Sequence, residues 1–461
     1  MIALDIGTTG VRGAVVALDG TIVAGHGCDT NYESPCDGHA QIDPRKWWVA
    51  SCAVLRALAK HGPFAALCVT GQAPTIACID DHGEPTAPAI LWLDTRAEDE
   101  ARLLGAHSYY GGPKIAWLMR HSPAAMSGAR WIVQSHAFVT RKLTGNVAID
   151  PSTAALCAPL FDLQTCEWVP AEGLHVDMSK LPIVRPAASI LGAITKAASH
   201  ETGIANGLPV VVGTGDFSAA VLGCGVTNPG EAALTLGTSG NLSLPTFHFE
   251  TDQRLIHSTQ ALHTADAQKP LSLGGTLAGG VIAWFSETMA QGVPFDVLEA
   301  EAARVDARDL VFVPYLAGER TPIWNASARG IFAGLSLRHM RGHLYRAVLE
   351  SVAASFLDLA AASGATLTEV IAANGAGRSA LLRQMLCDAL SVPLHYAPSQ
   401  SGTLLGGALL AFMGAGVTQD PRLAVAWRKT EAVHQPDESR GLYFRQLLEA
   451  RRALYEATRL A

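Results

Sequence analysis

The sequence predicts an α/β protein built as two similar halves. Three observations carry this. β-rich segments alternate with amphipathic helical ones along the chain, a Gly/Thr turn between two strands occurs twice, and 461 residues are too many for one ordinary core. Hydrophobic residues make up 49% and charged ones only 16%, so a large core is expected and disorder is not.

The opening is a meander. Residues 2–6 are β-rich, Gly7-Thr8-Thr9-Gly10 must turn, and 11–16 run out again. Asp19-Gly20 then gives a two-residue hairpin signal before Thr21-Ile22-Val23. Residues 44–60 read as a helix, with Pro44 in its first turn and Trp48, Cys52, Leu55 and Leu58 near helical spacing. Strands are expected at 65–69 and 75–80. Residues 208–212 form a buried type of strand that stops at Gly213-Thr214-Gly215-Asp216, and a helix follows from about Phe217. The turn-rich run Thr227-Asn228-Pro229-Gly230-Glu231 marks the boundary, giving domains 1–226 and 227–461. The opening pattern then recurs: strand 232–236, turn Gly237-Thr238-Ser239-Gly240, strand 241–244. Further on, 344–359 is an amphipathic helix whose face carries Leu344, Val348, Val352, Phe356 and Leu359. Residues 370–373 read as a strand, Asn374-Gly375-Ala376-Gly377 as a turn and 381–390 as a helix.

Charge and cysteine usage narrow the function. A net charge of −7, without long like-charge runs, argues against a nucleic-acid binder. The nine cysteines contain no C-x-x-C pair and read as reduced, packed thiols. The start, Met1-Ile2-Ala3-Leu4-Asp5, lacks the basic residues of a signal peptide. The longest apolar stretch, 404–417, is well short of the ~20 residues a membrane span needs. A cytoplasmic protein without membrane attachment is expected.

The candidate chemistry lies in turns. Gly and Thr/Ser between regular elements expose backbone N–H groups that converge on negative charge, which suits phosphate oxygens. Three segments have this build: 7–10, 237–240 and 374–377. Each alone reads first as a tight turn. Together, with Asp5 just before the first and Arg12 just after it, they point to a phosphate site where a carboxylate can hold Mg²⁺ and an arginine can pair with phosphate. No G-x-x-x-x-G-K-[ST], no strand-linked G-x-G-x-x-G and no H-E-x-x-H occurs, which removes the P-loop, dinucleotide and zincin readings. Asp216 follows an apolar strand and two glycines, so its carboxylate emerges where a helix starts. It reads as a general base toward an alcohol or as the helix N-cap.

These segments resemble the FGGY carbohydrate kinases. The resemblance runs in order through residues 4–9, 213–216, 236–240, Gly318-Glu319-Arg320-Thr321-Pro322, 328–330, 374–379 and 403–408, nearly the whole chain. Trp92-Leu93-Asp94-Thr95-Arg96 resembles the W-x-D-x-R element of the xylulokinase-like group; its other reading is a surface ion pair. The resemblance implies two actin-like (ribonuclease-H-like) ATPase domains with an interdomain cleft, and ATP and Mg²⁺ as cofactors. It implies Asp216 as the catalytic base, Asp5 as the Mg²⁺ residue, and Thr8, Thr9 and Arg12 as phosphate contacts. It further implies Gly237, Thr238, Gly279, Gly375 and Ser379 as nucleotide-binding residues. Gln72, Ala73, Asp216 and Phe217 fall at substrate positions, and a homodimer is a reasonable assembly.

Departures concentrate at the sugar. Gln72-Ala73-Pro74-Thr75 stands where xylulokinases usually carry Gln-Met-His-Gly and glycerol kinases an Arg-Glu pair, and Phe217 stands where Asn or Gln is common. Pro74 offers neither a side-chain hydrogen bond nor a backbone donor. A differently shaped or less hydroxylated substrate is expected, with D-xylulose the first choice and ribulose, erythritol or gluconate the alternatives. Ser401 replaces a common Glu, with no consequence assigned. A nucleotide-driven switch protein of the same superfold is the rival class, and it has no use for a sugar-facing base.

Overall fold

The opening meander forms as strands Ile2–Ile6, Gly10–Val16 and Ile22–Asp29 in a computed structural model that describes residues 1–250, 252–373, 379–398 and 401–459. Gly20 turns the expected hairpin with φ of +81°, a conformation that glycine adopts without penalty. Ile2–Ile6 pairs antiparallel with Gly10–Val16 and parallel with Leu67–Gly71. The full sheet runs Ile190–Ala193, Pro209–Val211, Leu67–Gly71, Ile2–Ile6, Gly10–Val16, Ile22–Asp29, and Thr214–Gly215 also pairs with Leu67–Gly71.

Alternation along the first strand assigns its two faces. Ile2, Leu4 and Ile6 pack with the Pro44–Ala59 and Ser135–Thr144 helices, whereas Met1 and Ala3 pack with the Gly402–Gly414 helix. A strand buried on both faces must be apolar throughout, and each fully buried aliphatic side chain contributes about 1.5–3 kcal/mol. The Pro44–Ala59 helix starts where expected, with the Asp43 carboxylate accepting from the Arg45 N–H and proline in the first turn. Its buried face is centred on Trp47, Val54, Leu55 and Leu58, and Trp48 lies at the margin, one position off the predicted stripe.

The chain divides into two compact units. The first comprises Met1–Thr227, Ser258–Pro270 and Ser401–Trp427, and the rest of the described chain forms the second. The sequence reading divides the chain once, at 226/227; packing instead groups segments 258–270 and 401–427 with the first unit. For 401–427 the reason is a close helix crossing. A Cβ on Gly406 would lie 1.9 Å from the Ala219 carbonyl oxygen, and one on Gly223 would lie 1.9 Å from that of Gly402. Backbone therefore meets backbone between Gly402–Gly414 and the Asp216–Gly223 helix, which no periodicity in either segment announces.

The second unit repeats the plan of the first. Glu231–Leu236 pairs antiparallel with Ser239–Pro245 and parallel with Glu369–Ala373. Its sheet runs Ile256–Thr259, Pro270–Leu277, Ser239–Pro245, Glu231–Leu236, Glu369–Ala373, Leu394–Tyr396, Ala432–His434. The predicted amphipathic helix spans Arg341–Ser363 and buries Val348, Val352, Phe356 and Leu359, with Leu344 half-buried. Against it, the buried Arg451 of the Glu438–Thr458 helix donates to Asp358 Oδ2 at 2.8 Å and Ser355 Oγ at 2.7 Å. Among the described residues, no helix is long and apolar enough to cross a membrane.

Gly406→Ala or Gly223→Ala must push two helix backbones apart. Each should lower stability in urea denaturation by about 2–3 kcal/mol, whereas Gly416→Ala, with no atom within 4 Å of the added Cβ, acts only through its φ of +71° and should cost less. Equal, small losses at all three positions would contradict the close crossing.

Candidate active site

Register in the first sheet collects the acidic residues. Asp5 sits opposite Thr70, and Thr214 also sits opposite Thr70, because both strands pair in parallel with Leu67–Gly71. Neighbouring strands lie about 4.8 Å apart, so the ends of these strands come together. Carboxyl ends of parallel strands are where α/β folds place ligands, since the loops leaving them are free to diverge. Thr70 Oγ1 donates to Asp5 Oδ1 at 2.9 Å. Asp216 leaves the strand end two residues beyond Thr214 and is half-buried, as is Asp5.

Gly215 occupies the N-cap position and makes no side-chain cap, and Asp216 is the first residue of the helix. The N-cap reading of Asp216 is thereby corrected. Its Oδ1 accepts the Phe217 N–H at 2.7 Å, which orients the carboxylate. Burial, and then the negative charge of Asp5, push the Asp216 carboxyl up to about 8. Burial also raises Asp5, to about 6, against the hydrogen bond from Thr70 and the charge of Arg12. Two carboxyls thus sit where each disfavours ionisation of the other.

A buried network that the sequence reading missed fixes Asp216 in place. Asp150 caps the short Pro151–Ala155 helix, and its Oδ2 accepts from the Ser152 N–H, the Ser152 hydroxyl and, at 2.8 Å, the Thr214 hydroxyl. Thr153 Oγ1 accepts the Gly215 N–H at 2.7 Å. The two residues before Asp216 are therefore both held from one helix N-terminus. The remaining Asp150 oxygen lies 3.7 Å from Nε2 of the fully buried His136, and burial lowers the proton affinity of that imidazole. Asp-Pro-Ser-Thr at 150–153 is a legible helix-start signal, but nothing in it points to a strand 64 residues away.

The first turn is tied down by a chain of polar contacts. Trp92 Nε1 donates to Thr8 Oγ1 at 2.9 Å, Thr8 donates to Gln72 Oε1 at 3.4 Å, and Gln72 Nε2 donates to the Gly7 carbonyl at 3.2 Å. Gln72 is buried and spends its amide on this turn, while the Ala73 carbonyl accepts from the Tyr109 hydroxyl at 3.5 Å. Thr9 is exposed, and its hydroxyl has no hydrogen-bond partner among the described residues. Arg12 lies opposite Asp5 in the hairpin, so both side chains share a face, and its guanidinium pairs with Asp29 at 2.7 Å. Phe217 is half-buried beside Gly215, where a Cβ would meet its ring at 2.7 Å.

Asp94 and Arg96 do not form the surface pair that one reading allowed. Their side chains are 0% and 6% exposed and 2.8 Å apart, and Asp94 also accepts the Ala40 N–H. Close by in sequence, the fully buried Lys114 donates to the carbonyls of Ser108 and Tyr109 at 2.8 and 2.7 Å. Burial pushes its ammonium down to about 7, against the charge of Asp94.

In the second unit, Gly237 and Thr238 are exposed at the repeated turn. The Gly279 N–H donates to the Gly237 carbonyl at 2.9 Å, so close that a Cβ on Gly279 would stand 2.4 Å from that oxygen. Ser379 caps the Ala380–Leu390 helix, its hydroxyl accepting the Leu382 N–H at 3.0 Å. Gly375 and the rest of the 374–377 turn lie outside the described residues. Glu319 is buried, accepts from Thr276 Oγ1 at 2.7 Å and from the Arg320 N–H at 2.9 Å, and is pushed up to about 7 by burial.

Comparison with known proteins identifies the family. Residues 1–223 match the FGGY family of carbohydrate kinases, N-terminal domain, and residues 232–415 match its C-terminal domain. A xylulose kinase of Escherichia coli (strain K12) is 29% identical, covering 99% of this chain and 98% of that protein. A glycerol kinase of Myxococcus xanthus is 30% identical, covering 99% of each. The crystal structure of xylulose kinase from Rhodospirillum rubrum superposes with a TM-score of 0.91 at 29% identity, covering 99% of this chain and 98% of that one. The chain belongs to the FGGY family of carbohydrate kinases, and its two-unit α/β fold is the actin-like one expected.

Two outcomes follow from the buried acids. Asp150→Ala removes the acceptor for four donors, the Thr153 N–H included, and should cost about 3 kcal/mol of stability, with kcat falling as Thr214 loosens; an unchanged kcat in the folded variant would dissociate Asp150 from the site. Glu319 binds a proton in the folded state between pH 4.5 and about 7, where the unfolded chain does not. The stability this supplies is full below pH 4.5 and lost as pH rises to about 7, roughly 3 kcal/mol in all. Glu319→Gln should flatten that slope in denaturation at pH 4.5, 6 and 8.

Proposed function

We propose, from membership in that family, that this carbohydrate kinase transfers the γ-phosphate of ATP to a hydroxyl of a ketose or polyol, with D-xylulose the first candidate. The observation that carries the reading is the placement of Asp216 within reach of the Asp5 charge, on the other side of Leu67–Gly71. A base for an alcohol needs a carboxylate whose proton affinity lies near the working pH, and Asp216 is raised in that direction by burial and by its neighbour. In the proposed reaction the Asp216 carboxylate takes the proton of the sugar hydroxyl. The oxygen forms a bond to the γ-phosphorus in line as the bond to the β-phosphate oxygen breaks, and ADP leaves. Positioning and charge neutralisation supply the rate, without a covalent enzyme intermediate.

The residues present fit Mg²⁺. Asp5 offers a hard oxygen donor beside a second carboxylate, where mutual repulsion favours a dication. Among the described residues no group of three or more His, Cys, Asp or Glu side chains gathers to hold a metal alone, which suits an ion shared between one carboxylate, water and the phosphates of ATP. When bound, it supplies charge neutralisation on those phosphates. Thr8 and Thr9 are proposed to contact phosphate through the turn, and Arg12 after exchanging its exposed partner Asp29. Gly237, Thr238, Gly279 and Ser379 are proposed to line the nucleotide site, the Gly237 and Gly279 N–H groups being spent within the turn on the Ser239 and Gly237 carbonyls; Gly375, outside the described residues, is proposed for the same site from the resemblance alone.

The sugar pocket is the less polar for Pro74 and Phe217. Gln72, being spent on the Gly7–Thr8 turn, acts on substrate by shaping that turn. This supports a small ketose or polyol with few recognised hydroxyls; ribulose, erythritol and gluconate are the alternatives to D-xylulose. A switch protein would have no use for a carboxylate of raised proton affinity beside Asp5.

An ADP-release panel of D-xylulose, D-ribulose, erythritol, glycerol and gluconate with Mg²⁺ and ATP should show one compound raising turnover at least about tenfold over the sugar-free rate. Asp216→Asn should keep ATP affinity and lose about 10²–10⁴ in kcat toward that compound. Undiminished turnover would remove Asp216 from the mechanism, and a flat panel would favour the switch protein.

A further inference from the structure

The Ser135–Thr144 helix has a second end. At its start, Ser135 Oγ donates to the Gln72 carbonyl at 2.9 Å, next to the site described above. Ten residues at 1.5 Å each carry it about 15 Å away, to a concavity of about 640 Å³ that the kinase reading does not use. Three arginines line it, Arg130, Arg141 and Arg185, with Trp131 and Asn146 between them and Asp81 as the one carboxylate. A chain of net charge −7 thus gathers a local excess of two positive charges at one hollow, three guanidinium groups against one acid.

The guanidiniums are prepared unequally. Arg130 lies flat on the Trp131 ring, 3.9 Å from its centroid, and its Nε is 3.9 Å from Asp81, whose side chain is 81% exposed. That separation leaves the pair a surface ion pair of little strength. Arg141 is anchored by the carbonyls of Gly145 and Asp81, and its Nε–H is buried without an acceptor. Leaving a buried donor unmet carries a cost that a ligand oxygen removes. Arg185 is fixed through its main chain, with its N–H on the Ile149 carbonyl at 2.9 Å, and its side chain makes no hydrogen bond or ion pair among the described residues. Planar guanidiniums match the oxygens of a phosphomonoester two at a time. The hollow is far larger than one phosphate, so the rest of the ligand must be an organic body with hydroxyls that Asn146 can meet.

We propose that this concavity binds a phosphorylated small molecule of the sugar-phosphate class, at a site separate from the Asp5–Asp216 centre. The proposal does not rest on the kinase reading, although the product of any carbohydrate kinase falls in this ligand class.

The test is isothermal titration calorimetry of the full chain at fixed ionic strength, with glucose 6-phosphate, inorganic phosphate and glucose as probes. Glucose 6-phosphate should bind saturably and more tightly than inorganic phosphate, and glucose should not bind. Arg185→Ala should weaken binding about tenfold or more with an unchanged melting temperature, since that side chain holds nothing else, and Arg130→Ala should weaken it as well. Asp216→Asn should bind as the parent does. No saturable binding, equal affinity for inorganic phosphate, or undiminished binding by Arg185→Ala would each overturn the proposal. So would loss of binding in Arg12→Ala but not in Arg185→Ala, which would put the ligand at the Gly7–Thr9 turn.

Discussion

The central constraint is the repulsion between two carboxyls held on either side of one strand, Leu67–Gly71. Asp5 and Asp216 come together because the strand ends that carry them share one partner, Leu67–Gly71, in parallel register. Neither can ionise without raising the cost for the other, and burial magnifies the effect. A fold gains no stability from such a pair. The proposed reaction gives such a pair a use: a dication for Asp5 to hold and a proton for Asp216 to take.

Much of the first unit serves to hold that arrangement. Thr70 hydrogen-bonds Asp5, Asp150 and Thr153 fix the two residues before Asp216, and the Gly402–Gly414 helix packs backbone to backbone against the helix that Asp216 starts. The Trp92–Thr8–Gln72–Gly7 chain does the same for the turn beside it. Every one of these supports is a buried or part-buried hydrogen bond or a glycine contact. Removing one leaves a polar group unpaired or a backbone displaced, so its cost falls on geometry before it falls on composition.

The fold was largely legible because local signals and global pattern agree. The Asp19-Gly20 hairpin, the apolar strand ending at Gly213 and the helix face of Val348, Val352 and Phe356 each state their element within a few residues. The position of Asp216 was legible for the same reason, since an apolar strand and two glycines put it where a helix starts. Asp150 was not, because its partner Thr214 lies on a strand 64 residues away and capping alone explains an aspartate before Pro-Ser-Thr. For Asp94 and Arg96 a surface pair stood beside the W-x-D-x-R resemblance because their spacing is local, whereas Asp94 is buried and accepts the N–H of Ala40, 54 residues distant. The membership of 401–427 in the first unit was hidden similarly: small residues along a helix do not say which backbone they admit.

The claim on which everything functional turns is that the γ-phosphate goes to a carbohydrate hydroxyl and not to water. Phosphorus-31 NMR of the full chain with ATP, Mg²⁺ and the candidate ketoses and polyols reads that directly. The account predicts a new phosphomonoester resonance growing in step with ADP, with inorganic phosphate a minor product. ADP accompanied by an equal amount of inorganic phosphate, with no ester, would contradict it.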